Sequence, residues 1–344
     1  MRLRTAFICS LFALAVSAVF AQSNTQNTLL VAQKGAHSLA IVDLAAGKVI
    51  GDVPERGITG HEVAASPDGH FAYVPIYGSS GVGLPGTDGS NMVVINIPAQ
   101  KVVGNVDFGH GVRPHLPVVG PKDGLIYVTT ELDKAVTIVD PKTLKIVGKI
   151  PTGQAESHML AISHDGLRGY TANVGPGTVS VLDMVNRKTL AIIPVASQVQ
   201  RISISPNDRW VFTSDQTQPR LAVIDTANNK ISTWIPLAGT GYGSAPTPDG
   251  HWLLLALPGA NKVAVIDLQS MKVTRNIDVP SSPQAVVVRS DGQTAYVSCE
   301  GSDEVAEIDL SQWKVTRLIR TGKTTDGMAL TTVKTEPKIE AKAN

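Results

Sequence analysis

Hydrophobic and polar residues alternate in short runs along most of this chain. Each run spans roughly four to eight residues, is rich in Val, Ile, Leu and Tyr, and ends in Gly, Pro, Asp or Asn. This is the signature of half-buried β-strands joined by tight turns. The runs come in a fixed order. A short β-branched run precedes an Asp-Gly turn, a strand such as AYV follows, then VxVID, then a polar turn, then a run such as KIVGKI. The pattern predicts four strands per unit and no long helix.

The unit repeats. A motif ending in an acid or amide recurs at Asp43, Asn96, Asp140, Asp183, Asp225, Asp267 and Asp309, with gaps of 53, 44, 43, 42, 42 and 42 residues. The preceding strand recurs at Leu30, Tyr73, Tyr127, Tyr170, Phe212, Leu254 and Tyr296. The S-P-D-G turn is centred on Gly69, Gly124, Gly166, Gly250 and Gly292, with Arg209 of SPNDR read as holding the same place. One four-stranded sheet cannot bury its two faces alone, whereas a ring of them buries every face. Seven units of four antiparallel strands therefore predict an all-β fold, a seven-bladed β-propeller. The last unit supplies one strand, and Thr28 opens the three strands that complete it. The chain ends are expected to share a blade.

The units LIYVTTELDKAVTIVD and AYVSCEGSDEVAEIDL resemble the YVTN-repeat β-propeller family across residues 28–333. That resemblance implies the scaffold and leaves the function open, because one scaffold hosts many. The phrase VRPHLPVVGPKDGLIYVTTELD, in one blade, also resembles the seven-bladed lactonase and cycloisomerase family. There a His, a Glu and Arg residues handle lactone chemistry. The likeness implies catalytic roles for Arg113 and Glu131, with Arg201 a candidate second arginine.

Residues 1–21 place two arginines before an apolar run that ends in Val19-Phe20-Ala21. They read as a secretory signal peptide, so the protein is expected to be exported, periplasmic or secreted, with no membrane insertion after cleavage. Residues 22–333 form the propeller, and the polar stretch 334–344 is expected to be a disordered tail. Cleavage removes Cys9 and leaves Cys299 unable to form an internal disulfide. Lys plus Arg number 30 against 29 for Asp plus Glu, and aromatics are 5%. That balance argues against nucleic acid as a partner, which calls for excess basic charge and stacking platforms. A small-molecule ligand or substrate is expected, and a protein partner is possible.

Two departures from the repeat point to chemistry. The distance from the second-strand residue to the acid is 13 in six units and 23 between Tyr73 and Asn96. The extra residues lie in YGSSGVGLPGTDGSN, a Gly-, Ser- and Pro-rich loop suited to a flap. At the start of each innermost strand one register reads His61, His115, His158, Gln200, Tyr242, Gln284 and Asp326. Imidazoles at one register of three adjacent inner strands predict a divalent metal site of His61, His115 and His158, completed by Gln200 or Asp326. Zinc, manganese, iron and copper all accept such ligands. Glu62, Arg113, Glu131 and Arg201 would surround it as catalytic groups. The expected activity is a lyase or a lactone/ester hydrolase acting on a small anionic substrate. The alternative is a non-catalytic propeller that binds a small ligand, metal or protein partner at the same face.

Overall fold

The structure, a computed structural model, describes residues 26–333. The signal-peptide reading of 1–21 and the tail reading of 334–344 lie outside the described residues. Seven four-stranded antiparallel sheets follow one another around a ring. Blade 1 is built from both chain ends: Thr325–Thr331 pairs with Thr28–Gln33, followed by Ser38–Asp43 and Lys48–Pro54. Blades 2 to 7 begin with the innermost strands Ala64–Ala65, Pro114–Val119, Ser157–Ile162, Val199–Ile204, Ser244–Pro246 and Pro283–Val288. The seven-bladed propeller and its closure by the chain ends are as the repeat predicts.

The core is divided by the ring rather than pooled at its centre. Each blade interface holds its own hydrophobic cluster, such as Leu30, Ile41, Val74 and Ile95 between blades 1 and 2. Another is Met159, Val181, Ile202 and Val211 between blades 4 and 5. The alternation of apolar residues feeds both faces of every sheet, so each blade is buried on two sides.

The outermost strands end the sheets and carry their edges. In every blade the register slips by one residue there, looping out Ile50, Val103, Val147, Leu190, Ser232, Thr274 and Thr316. A bulge at the same place in seven sheets twists each edge away from edge-to-edge pairing. It also explains why Ile50, Val103, Val147 and Leu190 are exposed although apolar.

The inner-strand turns adopt one geometry with one correction. Gly69, Gly124, Gly166, Asp208, Gly250 and Gly292 all have φ between 59° and 75°. Asp208, not Arg209, therefore holds the glycine's place in blade 5. Asp tolerates the left-handed region better than a long side chain does. Asn207 takes the role of Asp68, accepting the bond from Ser205 as Asp68 accepts it from Ser66.

Candidate functional site

The connections into the inner strands share a second left-handed position. Arg113, Glu156, Ser282 and Thr324 have φ between 50° and 61°. Each lies two residues before a member of the register His115, His158, Gln284 and Asp326, and the turn directs the following residues into the channel mouth. Strand pairing is then interrupted: register breaks fall between Pro114 and Pro117, Ser157 and Met159, and Val199 and Ile202. Consecutive residues at these breaks are released from strict in–out alternation. Gln200 and Arg201 accordingly both reach the mouth.

One wall of the mouth comes from blades 2 to 4. The rings of His115 and His158 stack with centroids 3.6 Å apart and planes 30° from parallel. His61 meets His115 edge-on at 5.4 Å. Tyr77, from blade 2, lies 4.8 Å from His61 and 5.3 Å from His115. Glu131 of blade 3 joins the set through both oxygens. One pairs with His158 Nδ1, and the other accepts the Tyr77 hydroxyl at 2.8 Å. On its other edge, His158 Nε2 faces the Gln200 amide at 3.5 Å, and that amide donates to the Tyr242 hydroxyl at 3.0 Å. Tyr77, His115, Glu131 and His158 are each no more than 2% exposed. Burial lowers His61 to about 4 and pushes His115 well below its ordinary value, so both imidazoles are neutral at pH 7. His115 Nδ1 is buried with no hydrogen-bond partner.

The opposite wall is ionic. Arg201 reaches from blade 5 across the channel to Glu62 of blade 2 and to Asp326 of blade 1, the latter at 3.1 Å. Lys34 holds the other Asp326 oxygen at 3.2 Å and Glu300 at 2.8 Å. Burial raises Glu62 to about 7 despite its pairing with Arg201. Burial also acts to raise Asp326, but Arg201 and Lys34 outweigh it and hold that carboxyl below its usual range. Beside this wall lies a recess of about 300 Å³ lined by Lys34, Gln216, Tyr242, Gln284 and Glu300. A larger cavity of about 760 Å³ lies away from these groups, between Ile41, His70 and Gln100. Its walls hold none of the mouth residues.

The register thus brings His61, His115, His158, Gln200 and Asp326 to one mouth, together with Glu62, Glu131 and Arg201. It does not bring them into the expected metal shell. Among the described residues no group of three or more His, Cys, Asp or Glu is disposed to hold a metal ion. Asp326, expected to complete the shell, is engaged by two cations. Arg113 also differs in placement. Its guanidinium bonds Asp88 at 2.6 Å and the carbonyls of Gly81 and Leu84 at 3.3 and 2.9 Å, so it grips the inserted loop.

Three contributors were not legible as site residues. Tyr77 opens the insertion, and its strand, Phe71–Gly78, is longer than the second strands of the other blades. Lys34 and Glu300 sit in loops where the repeat varies freely. The remaining histidines, His37, His70, His110, His164 and His251, are exposed. Cys299 is a free buried cysteine whose thiol burial pushes up to about 12, so it is a packing residue.

A family model described as "Cytochrome D1 heme domain" matches residues 120–250. That segment takes in Glu131, His158, Gln200, Arg201 and Tyr242. The YVTN-repeat family is not what this comparison returns. No curated protein matches the chain. Among solved structures, "Kuenenia stuttgartiensis Hydrazine Synthase" is 18% identical, with a TM-score of 0.73 over 86% of this chain and 99% of that one. "Dihydro-heme d1 dehydrogenase NirN in complex with DHE" is 21% identical, with a TM-score of 0.61 over 86% of this chain and 64% of that one. A functionally unknown protein from Desulfotomaculum acetoxidans DSM 771 is 12% identical, with a TM-score of 0.73 over 88% and 98%. At these identities the likeness is one of fold. Among the described residues no helix is long and apolar enough to cross a membrane.

Proposed function

We propose that this chain is an exported propeller, periplasmic or secreted, whose channel mouth binds a small carbonyl or carboxyl compound and performs acid–base chemistry on it. Lactone or ester hydrolysis, or a lyase step, is the reaction class. The observation that carries this reading is the buried Glu131–His158 pair. A carboxylate against one ring nitrogen fixes the imidazole's orientation and leaves the other nitrogen as the working edge. Here that edge faces Gln200. His158 is the general base, Glu131 its orienting partner, and Tyr77 fixes Glu131 in turn. Neutral His61 and His115 offer further hydrogen-bonding edges, with His115 Nδ1 unclaimed by the protein.

The ionic wall limits the substrate. Arg201 and Lys34 are already matched by Glu62, Asp326 and Glu300. A polyanion gains little from cations so engaged. A neutral or singly charged molecule suits the recess, whose volume stands at the small end for ligand sites. A divalent ion held by Asp326 at this mouth would require that carboxylate to leave Arg201 and Lys34.

A second reading is favoured by the Cytochrome D1 match, because the matched segment includes five mouth residues. Haem iron is commonly held by an imidazole, and His115 Nδ1 is an unpartnered donor of that type. The room does not fit. Tyr77 lies against the His61 and His115 rings, and the open recess is too small for a macrocycle. The cations that could meet its carboxylates are matched within the chain.

The test is a screen of purified protein against aliphatic lactones and nitrophenyl esters, alongside Glu131→Gln and His158→Ala. Turnover that falls by about 100-fold or more in both variants is expected for a base and its orienting partner. Turnover that survives both substitutions, or none with any substrate, defeats the reading. Haem titrated in parallel should leave its absorbance unchanged; a His115-dependent spectral shift would establish the second reading instead.

A further inference from the structure

His115 and His158 are buried in this structure, yet a binding site must admit its ligand. We infer that the inserted loop of blade 2 is a gate over His115 and His158, and that Arg113 is its latch. This goes beyond the acid–base reading, and its test needs no ligand.

The loop runs between the strands Phe71–Gly78 and Asp88–Asn96. It leaves blade 2, passes the connection into blade 3 and reaches the connection into blade 4. Two contacts define that path. Arg113, two residues before His115, grips Asp88, Gly81 and Leu84. A side-chain carbon at Gly83 would come within 3.0 Å of Glu156 Oε1, and Glu156 lies two residues before His158. The loop is therefore docked on the turns that place the two stacked imidazoles.

The loop's own structure is slight. Its internal bonds are Ser79 N–H to the Thr87 carbonyl at 3.1 Å, Leu84 N–H to the Gly81 carbonyl at 3.0 Å, and Thr87 N–H to Ser79 Oγ at 3.0 Å. Leu84 is 61% exposed, so the loop gains little by burying it. Gly81, Gly83 and Gly86 leave the backbone free to reorient. Segments with few buried apolar contacts and few internal bonds open at low free energy. The loop's hydrogen bonds to the neighbouring blade come from one guanidinium, itself 7% exposed, that uses two nitrogens on the loop carbonyls of Gly81 and Leu84 and a third on Asp88 at the start of the next strand. Charge-assisted bonds of this kind are the strong ones. The resemblance that suggested a catalytic Arg113 did not foresee the insertion, which takes up the arginine's donors.

Diethyl pyrocarbonate, which acylates neutral imidazole, reads the gate directly. Mass spectrometry of labelled peptides separates the eight histidines. His37, His70, His110, His164 and His251 are exposed and serve as internal standards. His115 is neutral at pH 7, so its protection reports access and not protonation. Arg113→Ala is expected to speed His115 labelling by about tenfold or more, given the strength of bonds to a charged group. The standards should stay unchanged. Asp88→Asn keeps an acceptor for Arg113 but removes the charge from that latch contact at a partly exposed residue, spares the fold, and should give a smaller acceleration in the same direction. His115 labelling at the wild-type rate in both variants overturns the gate. Should Arg113→Ala unfold the protein, seen as loss of the cooperative melt, Asp88→Asn alone decides.

Discussion

Arg201 and Asp326 are 125 residues apart in sequence and meet across the central channel, guanidinium to carboxylate, at 3.1 Å. The same guanidinium pairs with Glu62, so blades 1, 2 and 5 are tied together through one buried cation. Removing it leaves two carboxyl groups in a site built for their counter-charge. Arg201→Met should cost about 3–5 kcal/mol, the usual penalty for orphaning a buried charge. Adding Glu62→Gln and Asp326→Asn to that variant should restore much of the loss. Denaturant melts of the single and triple variants check this, and a triple variant no more stable than the single one contradicts it.

Glu55 gives a cleaner titration than the paired groups. It is fully buried before the inner strand of blade 2, accepts Gly60 N–H at 2.8 Å with one oxygen, and has no partner for the other. Burial raises it to about 7. A carboxyl raised on folding favours the protonated form. Its contribution is complete below the unfolded value near 4.5 and is lost as pH rises through about 7. Glu55→Gln keeps an acceptor for Gly60 and abolishes this loss. Relative to wild type, the variant should therefore gain stability between pH 5 and pH 8, by up to a few kcal/mol. Melts at the two pH values decide, and a constant difference would be the wrong result.

His61 titrates with the opposite sign. Burial lowers it to about 4 from 6.5. Its neutral form supports the fold above about 6.5, and that support fades as pH falls through about 4. His61→Gln should be relatively more stable than wild type at pH 4 than at pH 7. The same melts extended to acid test this, with a pH-independent difference as the contrary outcome.

Gly327 is required by close approach rather than by backbone conformation. A Cβ there would lie 2.4 Å from Glu62 Oε2 and 2.5 Å from the His61 carbonyl oxygen. Its own N–H donates to that carbonyl at 2.9 Å. Gly327→Ala must push blade 1 from blade 2 and shift Glu62 against Arg201. A loss of about 1–3 kcal/mol is expected, the range for overpacking a tight contact. An unchanged melting temperature would mean that the blades separate freely at this point.

Closure of the ring is a matter of strand pairing between chain ends. Leu29, Leu30 and Val31 pair with Leu330, Ala329 and Met328. Ending the chain at Gly322 removes that inner strand together with Asp326. The inner edge of blade 1 is then unpaired and Arg201 loses a partner. Loss of a cooperative thermal transition is expected, because blades cannot bury their faces in an open ring. A shortened chain that melts like wild type would show that closure adds nothing.

The repeat by itself determined the architecture. Alternation gave the strands, the spacing of Asp43 through Asp309 gave seven units, and the partial units at the ends gave the shared blade. It also placed His61, His115, His158, Gln200 and Asp326 at one mouth, because equivalent positions in a ring lie at equivalent heights. Those are local and periodic properties, and a sequence carries them openly. What the side chains do at the mouth depended on contacts between distant segments. Register breaks in the inner strands released Gln200 and Arg201 from alternation, and a longer strand in blade 2 brought Tyr77 to Glu131. The inserted loop took up Arg113, and the His115 and His158 rings stacked on one another. Rotamers and pairings of this kind are settled by what faces a residue across the channel, and periodicity along the chain does not encode that.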